Sequence, residues 1–219
     1  MQVIIQKQFP TAKVSHLHPP KSLGKTGPGW RGVKRWCQSN GYRLEQLIAA
    51  TSYDWLIIQV DADIARQSDL QSGQDSDKIT PDIQQSCPPI TPTIEKLTQV
   101  LLTWLGYPTL AQLPPQIIFV IPSQDMENWV FASLFPNNPL CQRDDYECIH
   151  DNQEQYPAHL LTKKMYALPD QKPLLRYKDN KIKKQTRRYQ AYLSAFIGGW
   201  EQCCKICTQA NRYHERLTT

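Results

Sequence analysis

The sequence predicts an α/β fold built on a mainly parallel sheet. Two nearly continuous apolar runs, at residues 55–60 and 116–121, are typical of strands that are covered on both faces, as the strands of parallel sheets are. Between them, the apolar positions of residues 92–105 recur three and four residues apart, which predicts an amphipathic helix. This order forms a βαβ unit, and its right-handed crossover brings the carboxyl ends of both strands to one edge of the sheet.

Weaker patterns predict the other elements of the chain. Pro10 should end a helix that occupies the first nine residues, and Asn40-Gly41 should interrupt a helix over residues 30–50. The remaining predictions, in chain order, are a short strand at 14–18, a long surface excursion at 68–92, a helix at 123–135 capped by Ser123, an irregular acidic segment at 136–157, helical structure from 159 onward with a basic loop at 179–184, and a helix at 189–213.

These elements suggest two parts of the chain. Residues 1–135 are predicted to form the α/β core, and residues 136–219 an irregular segment followed by a basic helical extension that packs on the core. With 219 residues and 40% hydrophobic content, the chain can bury one sizeable core. We therefore expect one domain with an extension.

Two aspartates, Asp61 and Asp63, follow the first predicted strand at its carboxyl end. In open α/β sheets ligands bind at that edge, and carboxylate oxygens suit Mg²⁺ or Mn²⁺. Residues two apart share one face of a strand, so the pair suits one ion if the strand is lengthened or bulged through it. The alternative is that the two aspartates only cap the next helix or turn the chain.

Glu127 and several lysines are further candidates for the site. Glu127 lies in the first turns of the helix after the second strand, where it would serve as a third metal ligand or as the catalytic acid/base. The alternative is an ordinary glutamate that the helix dipole favours at a helix start. A lysine would steady a phosphate, and Lys183 is the predicted catalytic residue among Lys163, Lys164, Lys183 and Lys184.

The sequence Gly24-Lys25-Thr26 ends as a phosphate-binding loop does, but its spacing excludes that motif. The required earlier glycine would fall at position 19, which is Pro19, and no buried strand is predicted before it. Residues 21–30 are therefore predicted to be a flexible basic loop that contacts nucleic acid or a partner.

The seven cysteines favour thiols over a disulfide framework, because the number is odd. Cys204-Lys-Ile-Cys207, together with Cys141, Cys148 and His150, leaves a zinc site as one hypothesis. The favoured interpretation is that small thiols are buried on one face of a carboxyl-terminal helix.

The charge pattern favours an anionic partner. The net charge is +5, and much of the excess lies at residues 163–164, 176–184 and 187–188. Nucleic acid is one such partner; the alternative is a solvated lysine-rich face. No apolar run is long enough to span a bilayer and the start lacks a signal-peptide pattern, so we expect a cytoplasmic protein without a membrane partner.

The order of elements and two short segments resemble the Toprim fold. The segments are Val60-Asp-Ala-Asp63 and Ile121-Pro-Ser-Gln-Asp-Met-Glu-Asn-Trp129. They are similar to a Toprim-like bacterial family of unknown function, related to overcoming-lysogenization-defect nucleases, over about the first two thirds of the chain. The resemblance implies a Rossmann-like three-layer sandwich. It also implies Mg-dependent cutting or rejoining of phosphodiesters, often in phage defence, with Asp61 and Asp63 as metal ligands.

One departure from the family leaves two hypotheses open. The family's glutamate ends a strand before the first helix, whereas this chain is expected to begin inside that helix and to be amino-terminally truncated. The first hypothesis is a metal-dependent nuclease in which Glu127 or an upstream extension supplies the acid/base. The second is a catalytically inactive Toprim-like module that binds a protein partner or nucleic acid.

Overall fold

The chain divides into two compact units. The computed structural model describes residues 2–17, 29–67, 83, 87–150, 153–166, 172–178, 181–184 and 193–219. One unit consists of residues 13–121, and the other, here called the carboxyl-terminal unit, consists of residues 1–12 together with 122–219. The division therefore falls at residue 121, whereas the sequence suggested a boundary after residue 135.

The described residues form helices and short strands of both sheet types. The helices are α1 (Gln2–Gln8), α2 (Trp30–Asn40), α3 (Leu44–Thr51), α4 (Thr91–Leu105), α5 (Met126–Leu134), α6 (Pro157–Leu160), α7 (Leu193–Gly198), α8 (Trp200–Ile206) and α9 (Thr208–Thr218). The strands are β1 (Leu56–Gln59), β2 (Ile117–Val120), β3 (Leu175–Lys178) and β4 (Lys181–Lys184). The predicted mixed α/β class is confirmed.

The 13–121 unit contains the βαβ unit that the sequence predicted. β1 pairs in parallel with β2, so that Leu56 lies opposite Ile117 and Gln59 lies opposite Val120. The chain passes from one strand to the other through α4, whose inward positions are buried, including Leu97 and Leu101 at 0% exposure. Both strands contribute to the same apolar cluster as α4. The strand residues buried in this cluster are Leu56 and Ile58 of β1 and Ile117 of β2.

A close backbone approach fixes α2 and its following turn against α4. The break that Asn40-Gly41 predicted is present as a 3₁₀ turn, Gly41–Arg43, between α2 and α3. A Cβ atom at Gly41 would lie 2.2 Å from the carbonyl oxygen of Leu105, which no side-chain carbon tolerates. Glycine is therefore required there by the distance between two backbone segments.

The carboxyl-terminal unit is built around the aromatic side chains of α5, α8 and α9. Trp129 on α5 lies 5.8 Å from Trp200 on α8 and 6.5 Å from Tyr213 on α9, measured between ring centroids. All three side chains are at most 2% exposed. Gly199 lets α8 approach α5, since a Cβ atom there would lie 1.8 Å from the carbonyl oxygen of Ser133.

Three predicted elements were wrong. Residues 14–17 contain no strand, and the predicted helix at 189–213 is divided in its described part into α7, α8 and α9, with breaks at Gly199 and Cys207. In the segment from residue 159 onward, which was predicted to be helical with a basic loop at 179–184, residues 175–178 form β3 and residues 181–184 form β4, and the two strands pair in antiparallel. The predicted excursion at 68–92 and the basic loop at 21–30 lie largely outside the described residues.

The described sheets have two strands each, one parallel and one antiparallel. The finer prediction of a three-layer, mainly parallel sandwich stays a prediction. Among the helices that the structure describes, none combines the length and apolar character needed to cross a bilayer.

Candidate functional site

Asp61 and Asp63 follow β1 directly, at the carboxyl end of a parallel strand pair. The last ladder bond beyond β1 runs from Val60 N to Val120 O at 3.2 Å. Asp61 keeps an extended backbone with φ −82° and ψ 143°, and a 3₁₀ helix, Ala62–Arg66, begins at the next residue. The predicted strand-end position of the two carboxylates is therefore present.

The pair does not share one face of a strand, because the strand stops before it. Asp63 lies in the first turn of the 3₁₀ helix, so a turn rather than a pleat separates the two carboxylates. Both residues are half-buried, whereas Ala62 and Ile64 beside them are 4% and 6% exposed. The buried neighbours hold the turn in the apolar core of the 13–121 unit.

The contacts of Asp61 argue against a purely local capping role. It occupies the N-cap position of the 3₁₀ helix, but its side chain makes no capping hydrogen bond. The Gln59 side-chain amide donates to Asp61 Oδ1 at 3.3 Å. The side-chain amide of a strand residue therefore orients Asp61 Oδ1.

Two carboxylates suit a magnesium ion better than a cation whose ligands must all come from the protein. Among the described residues, no group of three or more histidine, cysteine, aspartate or glutamate side chains could hold a metal. Mg²⁺ keeps several waters and is usually bound by one or two carboxylates together with substrate phosphates. Asp61 and Asp63 are the two carboxylates that would supply such a set at the end of β1.

Glu127 lies in the first turn of α5 and is 7% exposed. It belongs to the carboxyl-terminal unit, whereas Asp61 and Asp63 belong to the 13–121 unit. That these three carboxylates bind one metal stays a prediction.

The predicted cap of α5 was wrong by two residues. Asp125 is the N-cap, and its Oδ1 accepts a hydrogen bond from Asn128 N at 3.2 Å. Ser123 instead donates its hydroxyl proton to Glu147 Oε1 at 2.8 Å. The serine is 1% exposed, so this bond gives a buried hydroxyl proton its acceptor.

Glu147 joins three parts of the carboxyl-terminal unit, and sequence reasoning did not find it. Besides Ser123, it accepts hydrogen bonds from Thr208 Oγ1 at 2.7 Å and from Gln209 N at 3.4 Å, both in the first turn of α9. Its neighbour Tyr146 donates to Asn128 O at 2.6 Å and so fixes the same turn to α5. Because the partners of Glu147 are 24 to 62 residues away in sequence, no local pattern could indicate this contact.

Most cysteines carry thiols, as predicted. Cys37, Cys141, Cys203, Cys204 and Cys207 are thiols, and Cys87 and Cys148 are disulfide-bonded. Burial raises the pKa of Cys141 to about 12, and burial followed by a hydrogen bond with Cys203 raises the pKa of Cys207. Cys148, one of the residues of the zinc hypothesis, is disulfide-bonded and therefore cannot act as a thiolate ligand. The predicted burial of small thiols is confirmed for Cys203 on α8 and for Cys207, which lies between α8 and α9, whereas Cys204 is half-buried.

The lysines predicted to contact phosphate lie at different places in the carboxyl-terminal unit. Lys163 is exposed and Lys164 begins a 3₁₀ helix, Lys164–Tyr166. Lys183 and Lys184 belong to β4, where Lys183 is the register partner of Arg176. The structure therefore replaces the predicted basic loop by a basic hairpin.

A signal for this hairpin was present in the sequence. Leu175-Arg-Tyr-Lys178 alternates between apolar and basic residues, and Asp179-Asn180 separates it from a second short run by two residues. Alternation followed by a two-residue polar turn is typical of a β-hairpin. The high lysine content concealed this pattern.

Comparison with known proteins gives no match, whether the chain is compared with protein-family models, with curated protein sequences or with solved structures.

Proposed function

We propose that this protein is a Toprim-like enzyme that binds Mg²⁺ or Mn²⁺ at Asp61 and Asp63 and cuts or rejoins phosphodiesters in nucleic acid. The observation that carries the proposal is the position of the two carboxylates, directly after β1 in a parallel strand pair. Ligands bind at this edge of open α/β sheets. The resemblance of the two short motifs to Toprim-like proteins supports the same assignment.

The donor set limits the chemistry that the site would support. Two carboxylates leave most of the coordination sphere of Mg²⁺ to water and substrate oxygens, as phosphoryl-transfer sites require. When bound, the ion would neutralise negative charge on phosphate oxygens. Asp61 and Asp63 would hold it, and the Gln59 amide would orient Asp61 through the 3.3 Å hydrogen bond.

Glu127 and Lys183 are the candidate acid/base and phosphate-contacting residues in this proposal. Each is tested by its own conservative variant, Glu127→Gln or Lys183→Gln. A catalytic role requires that the variant lower turnover while divalent-ion binding and thermal stability remain as in the parent.

A second candidate function is a catalytically inactive Toprim-like module that binds nucleic acid or a protein partner. The β3–β4 register, in which Arg176 lies opposite Lys183 and Lys178 opposite Lys181, favours it because such a row of cations attracts an anionic partner. The two candidates differ in one respect that is easily measured, since only the first predicts a chemical change in the nucleic acid.

The experiment incubates the purified chain with labelled single-stranded and duplex DNA and RNA, in Mg²⁺, Mn²⁺ or EDTA. We expect a change in strand length or topology that requires the ion and disappears in the Asp61→Asn/Asp63→Asn variant. Asp54→Asn is the matched control, because Asp54 is exposed at the other end of β1 and the substitution is the same. Activity that persists in EDTA or in the double variant would overturn the proposal, and binding without cleavage would favour the second candidate.

A further inference from the structure

The segment that contains the β3–β4 hairpin carries more positive charge than the whole chain. Residues 171–190 contain eight lysine and arginine residues and one aspartate, which gives a net charge of +7. Because the whole chain has a net charge of +5, all other residues together have a net charge of −2. The basic character of the protein is therefore local, and it is concentrated where the structure forms a hairpin.

The register of the hairpin gathers this charge on one face. Arg176 lies opposite Lys183, and Lys178 lies opposite Lys181. Directly opposite residues in an antiparallel pair share a face, as do residues two apart along one strand. All four positions, Arg176, Lys178, Lys181 and Lys183, therefore belong to the same face, and Arg176, Lys178 and Lys181 are exposed.

This arrangement destabilises the hairpin when it is alone. Like charges directly opposite each other are destabilising, and the register of this hairpin has two such pairs. Within the described part of the chain, Arg176, Lys178 and Lys181 form no ion pair that would offset the repulsion. A bound polyanion would remove the repulsion, so the face is complementary to one.

The base of the hairpin is fixed, so the charged face is presented by a rigid support. Leu174 and Leu175 are 1% and 0% exposed. Leu175 N donates to Leu161 O at 3.1 Å, which joins β3 to the segment after α6. Because these leucines are buried in the carboxyl-terminal unit, they are not available to insert into a lipid surface.

We infer that the face formed by Arg176, Lys178, Lys181 and Lys183 binds the phosphate backbone of a nucleic acid. The inference rests on the proposed function for its ligand class and names the surface that would hold the substrate. Two residues along a strand advance about 6.8 Å, so the exposed cations form a regularly spaced row of positive charge that a phosphate chain can follow. Cations at this spacing contact a phosphate chain through charge alone, without reading bases.

Salt dependence provides a quantitative test of the number of phosphate contacts. Each phosphate neutralised on a single strand contributes about −0.7 to the slope of log K against log salt, so four contacts give about −2.8. Affinity should then fall about 50-fold between roughly 50 and 200 mM salt. With two contacts removed, the slope should be about −1.4 and the fall about 7-fold.

The experiment measures binding of a short fluorescent oligothymidylate by anisotropy, over that salt range and in EDTA. The test variant is Lys178→Gln/Lys181→Gln. The matched control is Lys205→Gln/Arg212→Gln, which removes the same charge from exposed positions on α8 and α9 of the same unit. We expect the test variant to halve the slope and the control to keep the slope of the parent.

Each outcome of this experiment decides the inference. Equal slopes in the test variant and its control would overturn it, as would binding to anionic phospholipid vesicles without binding to the oligonucleotide. The measurement is made without metal, and Asp61→Asn/Asp63→Asn should bind the oligonucleotide as the parent does. Failure of the metal site is therefore distinguishable from failure of the hairpin surface.

Discussion

Two adjacent glycines, Gly198 and Gly199, should respond to the same substitution in opposite directions. A Cβ atom at Gly199 would lie 1.8 Å from Ser133 O and 2.6 Å from Ser133 C, both backbone atoms of α5. Since real Cβ contacts essentially never fall below 3.0 Å, α8 and α5 would have to separate by more than an ångström. At Gly198, in contrast, a Cβ atom meets nothing within 4 Å.

The expected magnitudes follow from these distances. Overpacking a core contact costs about 1–3 kcal/mol of stability. We expect Gly199→Ala to cost about 3 kcal/mol or more, because its Cβ atom would clash with backbone atoms. Separation of α8 from α5 would also loosen Trp200, which is 0% exposed and packs on Trp129. Gly198 is the last residue of α7, so Gly198→Ala should stabilise the unit by less than the roughly 0.5–1 kcal/mol that alanine gains over glycine in a helix interior.

The assay should report on the carboxyl-terminal unit alone. Hydrogen exchange measured by mass spectrometry along a urea titration separates peptides of α5 and α8 from those of the 13–121 unit. We expect the midpoint for α5 and α8 to fall in Gly199→Ala and to rise slightly in Gly198→Ala. Equal midpoints in the two variants would refute the close approach of α8 to α5.

Two further predictions concern buried polar groups. Glu147→Ala should lower the free energy of unfolding by about 1–3 kcal/mol, because it leaves the buried Ser123 hydroxyl group without its acceptor. A double-mutant cycle with Ser123→Ala should show a coupling energy of at least about 0.5 kcal/mol. Additive effects of the two substitutions would contradict the 2.8 Å hydrogen bond. Burial raises the pKa of Cys37 from 9.0 to about 12, so its stabilising contribution is complete below pH 9 and is lost as the pH rises toward 12. Urea midpoints at successive pH values should therefore fall less steeply above pH 9 in Cys37→Ala than in the parent, and identical pH profiles would count against a protonated, buried Cys37.

The sequence was most informative where one local pattern decides the structure. The apolar runs predicted β1 and β2 to within one residue at each end, because strands in the core must be apolar. The three-and-four spacing of α4 and its end at Gly106 were also predictable. Burial of a strand on both faces and the periodicity of a helix can both be recognised from the pattern of consecutive residues.

The sequence was least informative where distant backbone segments meet. The approach of Gly199 to Ser133 divides the carboxyl-terminal helices, and it depends on residues 66 positions apart in the chain. The 3₁₀ turn after Asp61 is held by buried Ala62 and Ala65, which have no distinctive local pattern. For the candidate site, the two aspartates and their strand-end position were predictable, whereas the turn that separates them was not.

The most direct test of the central claim is isothermal titration calorimetry of Mg²⁺ and Mn²⁺ with the purified 219-residue chain. The same titrations are made on Asp61→Asn/Asp63→Asn and on the control Asp54→Asn. We predict binding by the parent and by the control, and loss of binding in the double variant with no change in thermal stability measured without metal. Equal ion affinity in the double variant and the parent, or no binding by the parent, would contradict a metal site at Asp61 and Asp63.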